Sequence, residues 1–230
     1  MEQQIAASPA RPSADASAAA HTAVAIGGFA VAFVVALALT LTVALDDRPP
    51  GDVRLIREVG SWPFPHWLAD ATRAVTTTQV VLVCGYVAAA ALFMLGARRE
   101  AIALAAAIFV LPLLQAGLKD LVDRPRPTEA IVPQRAGYTS ESFPAGHVMS
   151  PTALYGYVTW LAAAGLLPSR LRALRWPLVA WSVAVLALTG FVSVWLGVHW
   201  PTDVLGGYAW GAALALVAVV AATARWRRPT

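Results

Sequence analysis

Two stretches decide how this chain is read: Lys119-Asp120-Leu121-Val122-Asp123-Arg124-Pro125-Arg126-Pro127 and, after a polar loop, Ser142-Phe143-Pro144-Ala145-Gly146-His147. They are completed far downstream by His199-Trp200-Pro201-Thr202-Asp203. Elsewhere the chain is dominated by long apolar runs, and these ionisable residues stand at their ends. Burying charge in hydrocarbon is costly, so charges gathered at such borders call for a functional reading.

Working outward, the composition is that of a membrane protein. Of 230 residues, 58% are hydrophobic and 13% charged, against about 25% charged in a soluble domain. The length permits one domain. Although the pI is 9.7, the arginines sit in short clusters between apolar runs. Membrane topology rules explain that pattern without a nucleic acid. Cys84, the single cysteine, lies in an apolar run, cannot form an internal disulfide and reads as a core thiol.

The apolar pattern predicts an all-α bundle. Residues 1–20, rich in Ala, Ser, Pro and Gln, read as a disordered cytoplasmic tail, and residues 21–226 as the membrane domain. Six spans are expected at 22–45, 78–95, 101–118, 148–167, 176–196 and 201–223. About 20 apolar residues cross about 30 Å of hydrocarbon. Asp46-Asp47-Arg48-Pro49-Pro50-Gly51 ends the first span. Apolar Val53, Leu55, Ile56 and Val59 then alternate with Asp52, Arg54, Arg57 and Glu58. Together with Trp62 and Trp67, this predicts a short amphipathic helix lying in the interface.

Six crossings put both termini on one side. Arg98 and Arg99, then Arg170, Arg172 and Arg175, then Arg225, Arg227 and Arg228 fall there too. Positive connectors favour the cytoplasm, so the termini are expected inside. Lys119, Arg126, His147, His199 and Asp203 then all reach the extracytoplasmic border.

These residue types suit a phosphate. Lys119 supplies a point charge, and Arg126 a planar fork for two phosphate oxygens. Pro125 and Pro127 stiffen the segment carrying that fork. Gly146 opens a helix whose unpaired N–H groups attract an anion and lets the backbone come close. Of two histidines, one can attack phosphorus while the other protonates the leaving oxygen. His199 and Asp203 are four residues apart, so on a helix they share a face and the carboxylate can orient the ring. Neither a metal nor another cofactor is expected, because Lys119 and Arg126 already supply positive charge.

The three motifs together resemble the type 2 phosphatidic acid phosphatase (PAP2) superfamily. The resemblance rests on Lys119 with six residues before Arg126-Pro127, on Phe143-Pro144-Ala145-Gly146-His147, and on Gly197-Val198-His199-Trp200-Pro201-Thr202-Asp203. It implies a six-helix membrane bundle acting on lipid phosphates or pyrophosphates without metal. It further implies His199 as nucleophile through a phosphohistidine, Asp203 as its orienter and His147 as general acid, with Lys119 and Arg126 holding the phosphate.

Two positions depart from the family pattern. Its second motif usually reads Pro-Ser-Gly-His, whereas Ala145 stands here for the serine. Its third usually opens Ser-Arg, and the arginine's place holds Ser193. Losing one charged and one neutral donor corresponds to about 10²- to 10³-fold in rate or affinity unless something compensates. Arg124, Arg135 and Ser193 itself are the candidates near the gap. The expected function is an integral membrane phosphatase acting on a polyprenyl pyrophosphate, phosphatidate or phosphatidylglycerophosphate. Its partners would be the bilayer and that lipid, with no nucleic acid. Two alternatives stand beside it: a weak or inactive lipid-phosphate binder, and a phosphotransferase using the same histidine.

Overall fold

A computed structural model describes residues 14–224. Those residues form eight α-helices and no strand: α1 (Ala14–Leu45), α2 (Asp52–Gly60), α3 (His66–Thr76), α4 (Thr78–Met94), α5 (Arg98–Val122), α6 (Gly146–Ala163), α7 (Arg175–Trp195) and α8 (Pro201–Thr223). A short 3-10 segment, Ser169–Leu174, leads into α7. Helix α1 starts within the stretch expected as a tail. Residues 1–13 and the C-terminal Arg225, Arg227 and Arg228 lie outside the described residues.

Helix α6 sits at the centre, packed against α5, α7 and α8, while α1 lies along α8 and α4 along α5. The outer faces carry exposed Val31, Val34, Val83, Phe109, Leu113 and Val183, as suits helices facing lipid. Cys84 is on such a face of α4 rather than in the core. Flanking apolar residues gave no hint of this, because a lipid-facing run reads like a core run.

The expectation of six spans is met in part. Four helices are long and apolar enough to cross a membrane: α1, α5, α7 with its 3-10 lead-in, and α8. A fifth appears if α3 and α4, bent by 53°, count as one span. Thr77 makes that bend: its backbone is extended (φ −59°, ψ 147°) and its hydroxyl caps α4 by accepting from Val80 N–H at 3.3 Å. Helix α6, expected as a span over 148–167, has 18 residues and is not among the candidates. The reason is local: its Ser150 and Thr152 are buried against other helices, and a shielded helix does not need an apolar surface. The single interfacial helix expected after α1 is likewise two helices, α2 and α3, parted by Trp62-Pro63-Phe64-Pro65.

The α6–α8 contact positions the site. A Cβ at Gly207 would lie 2.8 Å from Ala145 O, and one at Gly211 2.6 Å from Met149 O. Glycines four apart on α8 thus let two backbones touch, the small-residue device of membrane helices. This brings the N-termini of α6 and α8 together, and with them His147 and Asp203. Gly211→Leu is expected to destabilise the detergent-solubilised protein by about 1–3 kcal/mol or more, because backbone cannot yield as a side chain can. Gly117→Ala, where a Cβ meets nothing within 4 Å, serves as the neutral comparison in the same thermal-unfolding measurement.

Candidate active site

Helix ends and one loop supply the site. Lys119 stands in the last turn of α5, Arg126 in the Pro-flanked segment after it, Gly146 and His147 open α6, and His199 immediately precedes α8. They line one cavity of about 340 Å³ with Arg73, Thr77, Thr78, Gln79, Gln115, Tyr138 and Ser140. The structure thus brings these five residues to one cavity wall. At Gly146 a Cβ would fall 1.9 Å from Gln115 Nε2, so any larger residue there would push the Gln115 amide out of its place in the cavity wall. As the first residues of α6, Gly146 and His147 have amides without a partner four residues earlier in the helix.

His199 is 2% exposed. Its Nε2 lies 3.3 Å from Arg126 Nη1, on the cavity side, and its Nδ1 lies 3.5 Å from Asp203 Oδ2. That second separation is long for a hydrogen bond, and Nδ1 has no well-formed partner. Burial pushes the His199 pKa down to about 4, and the nearby Arg126 and Lys119 charges add to this against the raising influence of Asp203. The ring is therefore neutral at neutral pH. With its proton on Nδ1 facing the carboxylate, Nε2 carries the lone pair on the cavity side and accepts from Arg126 Nη1, a contact that an incoming phosphate would replace.

Asp203 is fully buried and does several things at once. Its Oδ2 accepts from the Trp200 backbone N–H at 2.8 Å, closing a cap at the start of α8. The Ser142 hydroxyl donates to the same oxygen, and Arg124 Nη1 donates to Oδ1. Arg124 continues to Asp52 Oδ2 at 2.7 Å through Nη2, and to Asp47 O through Nε and Nη2 at 3.0 and 2.7 Å. Asp52 in turn accepts from Thr202 N–H at 3.0 Å and from its hydroxyl at 2.6 Å. A buried Asp52–Arg124–Asp203 triad thus ties the start of α2 to the start of α8.

The expected compensating residues are not in the cavity. Arg124 is held between two buried carboxylates, which demand its charge. Arg135 donates to Trp195 O at 2.6 Å and to Gly60 O at 2.8 Å, tying the loop to α7 and α2. Ser193 is buried, and its hydroxyl donates to Thr189 O at 2.7 Å. Ala145 is also fully buried, in an apolar cluster with Ile56, Val148, Trp200 and Val204. Sequence reasoning missed Arg73, Gln115 and Thr78 among the lining residues, since none stands in a motif. It also missed Asp52, whose one signal was an acid at a helix start.

The comparisons with known proteins decide the family. The PAP2 superfamily model matches residues 100–227, more than half of the chain. The chain belongs to the PAP2 superfamily. Among curated proteins it is similar to phosphatidylglycerophosphatase B of Bacillus subtilis (strain 168), 34% identical over 100 residues. That match covers 43% of this chain, and the chain spans about half, 46%, of the relative's length. In structure it resembles the first transmembrane PAP2-type phosphatidylglycerolphosphate phosphatase from Bacillus subtilis, known from a crystal structure. The TM-score is 0.70 at 22% identity, over 83% of this chain and 93% of that one. This PAP2 chain therefore shares a membrane fold with that enzyme.

Removing Arg124 leaves two buried carboxylates without their cation, a loss of about 3–5 kcal/mol. Arg124→Ala should lower the thermal midpoint of the purified protein sharply, and adding Asp52→Asn should recover part of the loss. Equal midpoints for wild type and Arg124→Ala would show that the triad contributes nothing.

Proposed function

We propose that this PAP2 protein is a membrane phosphatase that hydrolyses a lipid phosphate or pyrophosphate through a phosphohistidine on His199. The observation carrying this reading is a buried, neutral imidazole whose Nε2 faces a cavity with Lys119 and Arg126 on its wall. Nε2 attacks phosphorus, the bond from phosphorus to the lipid oxygen breaks, and that oxygen takes a proton from His147, whose ring is held protonated by the negative charge of the bound phosphate. Water then attacks the phosphohistidine, His147 takes a proton from the water, and inorganic phosphate leaves. Asp203 faces Nδ1 and stabilises the positive ring that forms at each stage. Lys119, Arg126 and the amides opening α6 offset the charge on the phosphate oxygens. Charge compensation by these side chains calls for no metal.

Phosphatidylglycerophosphate is the first candidate substrate, supported by the names of the two Bacillus subtilis relatives. Phosphatidate and polyprenyl pyrophosphate present the same chemistry. The supporting topology counts α1, α3–α4, α5, α6, α7 and α8 as six crossings, with α6 shielded by its neighbours. Termini are then cytoplasmic and the site extracytoplasmic, as the arginine-rich connectors favour. A second reading, a lipid-phosphate binder without turnover, draws on Ala145 and Ser193, where the family pattern has two phosphate donors.

Phosphate release from a panel of these lipids in detergent tests both readings. Release by wild type and its loss by at least 10³-fold in His199→Ala supports hydrolysis. Release that survives His199→Ala removes the mechanism, and tight binding without release favours the binder.

The pH dependence follows from the burial of His199. Its reactive neutral form exists above its folded pKa and disappears as pH falls through it. The acid limb of kcat/KM, set by the free enzyme, should therefore be centred near pH 4 instead of the ordinary histidine value of 6.5. A limb centred near the ordinary value would mean that His199 is not desolvated in the free enzyme.

A further inference from the structure

The arginine absent at residue 193 leaves the site one cation short, and the cavity shows where a replacement comes from. Helix α3 packs against α7, with Ala69 buried in the same cluster as Val192, Trp195 and Leu196. One turn beyond Ala69 on the same face is Arg73, which lines the cavity. One turn later Thr76 meets Thr189 of α7 at 3.4 Å, and Thr189 also donates to His147 O at 2.7 Å. The α3–α7 contact thus brings Arg73 to the same wall as His147.

The guanidinium of Arg73 is held but not used up. Its Nε donates to the Tyr138 hydroxyl at 2.9 Å, and its carbon stands 5.2 Å from the centre of that ring. The Tyr138 ring meets His147 edge-on at 5.6 Å and lies 6.4 Å from His199, so Arg73 is anchored beside both histidines. The nearest partner of a terminal nitrogen is Asp70, 4.0 Å from Nη1 and 71% exposed, a weak surface pair. Arg126 differs: its three nitrogens donate to Ser140 O, Ser140 Oγ, Glu141 O and Val198 O, and Nη1 also lies 3.3 Å from His199 Nε2. Lys119 also donates to Glu141 O. Of the three cations on the cavity wall, Arg73 therefore presents the open fork, the donor geometry that grips two phosphate oxygens.

We propose that Arg73 is the third phosphate-binding cation of this site, supplied by α3 in place of the arginine missing from residue 193. The inference rests on the phosphate-handling reading above. Its consequence is that the site is not one cation short: the charge is delivered from a different helix.

The test measures orthovanadate binding by calorimetry and lipid-phosphate hydrolysis side by side, on the full-length protein in detergent. Arg73→Ala should weaken vanadate binding and lower kcat/KM, each by about 10- to 100-fold, as for loss of a charge-assisted hydrogen bond. Arg73→Lys should keep part of both. Adding Ser193→Arg to Arg73→Ala should restore most of both, a rescue that a purely structural role for Arg73 does not predict. If Arg73→Ala fails to fold, Arg73→Gln takes its place with the same expectations. Vanadate bound equally with and without the arginine overturns the assignment, as does failure of Ser193→Arg to rescue a folded variant. Vanadate binding that depends on Arg73, in a wild type that releases no phosphate from any lipid, supports Arg73 and overturns hydrolysis.

Discussion

Arg124 holds the site together without entering it. Its side chain is completely buried between Asp52 and Asp203. A guanidinium taken out of water is tolerable only with carboxylates in contact and its remaining donors satisfied, and here Asp47 O and the Thr202 hydroxyl complete the set. The constraint runs both ways. Because the ions must stay paired, the segment after α5, the start of α2 and the start of α8 cannot move independently. Two carboxylates against one arginine leave the cluster with an excess negative charge, and the nearest group able to answer it is the His199 ring.

Asp203 is where architecture and chemistry coincide. The same carboxylate that caps α8 through Trp200 N–H faces Nδ1 of His199. Capping fixes the direction in which the helix leaves the membrane border, and that direction fixes where the imidazole points. The contact between α8 and α6, close enough to exclude a Cβ at Gly207 and Gly211, brings the second histidine to the same border. A backbone approach deep in the bundle therefore determines a distance between side chains at its end.

The departures from the family pattern look different once placed in three dimensions. Ala145 is enclosed by Ile56, Val148 and Trp200, so its side chain serves packing. Ser193 is buried on α7, where its hydroxyl is taken up by Thr189 O of the same helix. Tyr138, from the loop between α5 and α6, ties Arg73 to the cavity through its hydroxyl and stands with Arg126 4.7 Å from its ring centre.

The sequence alone determined the helical class, the membrane setting, the family and the convergence of Lys119, Arg126, Gly146, His147 and His199. Each rests on a pattern local in sequence: an apolar run of sufficient length, a proline-flanked arginine, a glycine before a histidine. It did not determine which helices face lipid and which are shielded, so α6 read as an ordinary span and Cys84 as a core thiol. Nor did it determine which arginines line the cavity. Arg124 and Arg135 are near the gap in sequence, yet one is held by buried carboxylates and the other by backbone carbonyls of α7 and α2. Arg73, more than a hundred residues from Ser193, reaches the cavity because α3 folds back over α7. Only tertiary structure decides such matters, since a charged side chain's role depends on which opposite charges and carbonyls surround it, and those come from segments remote in the chain.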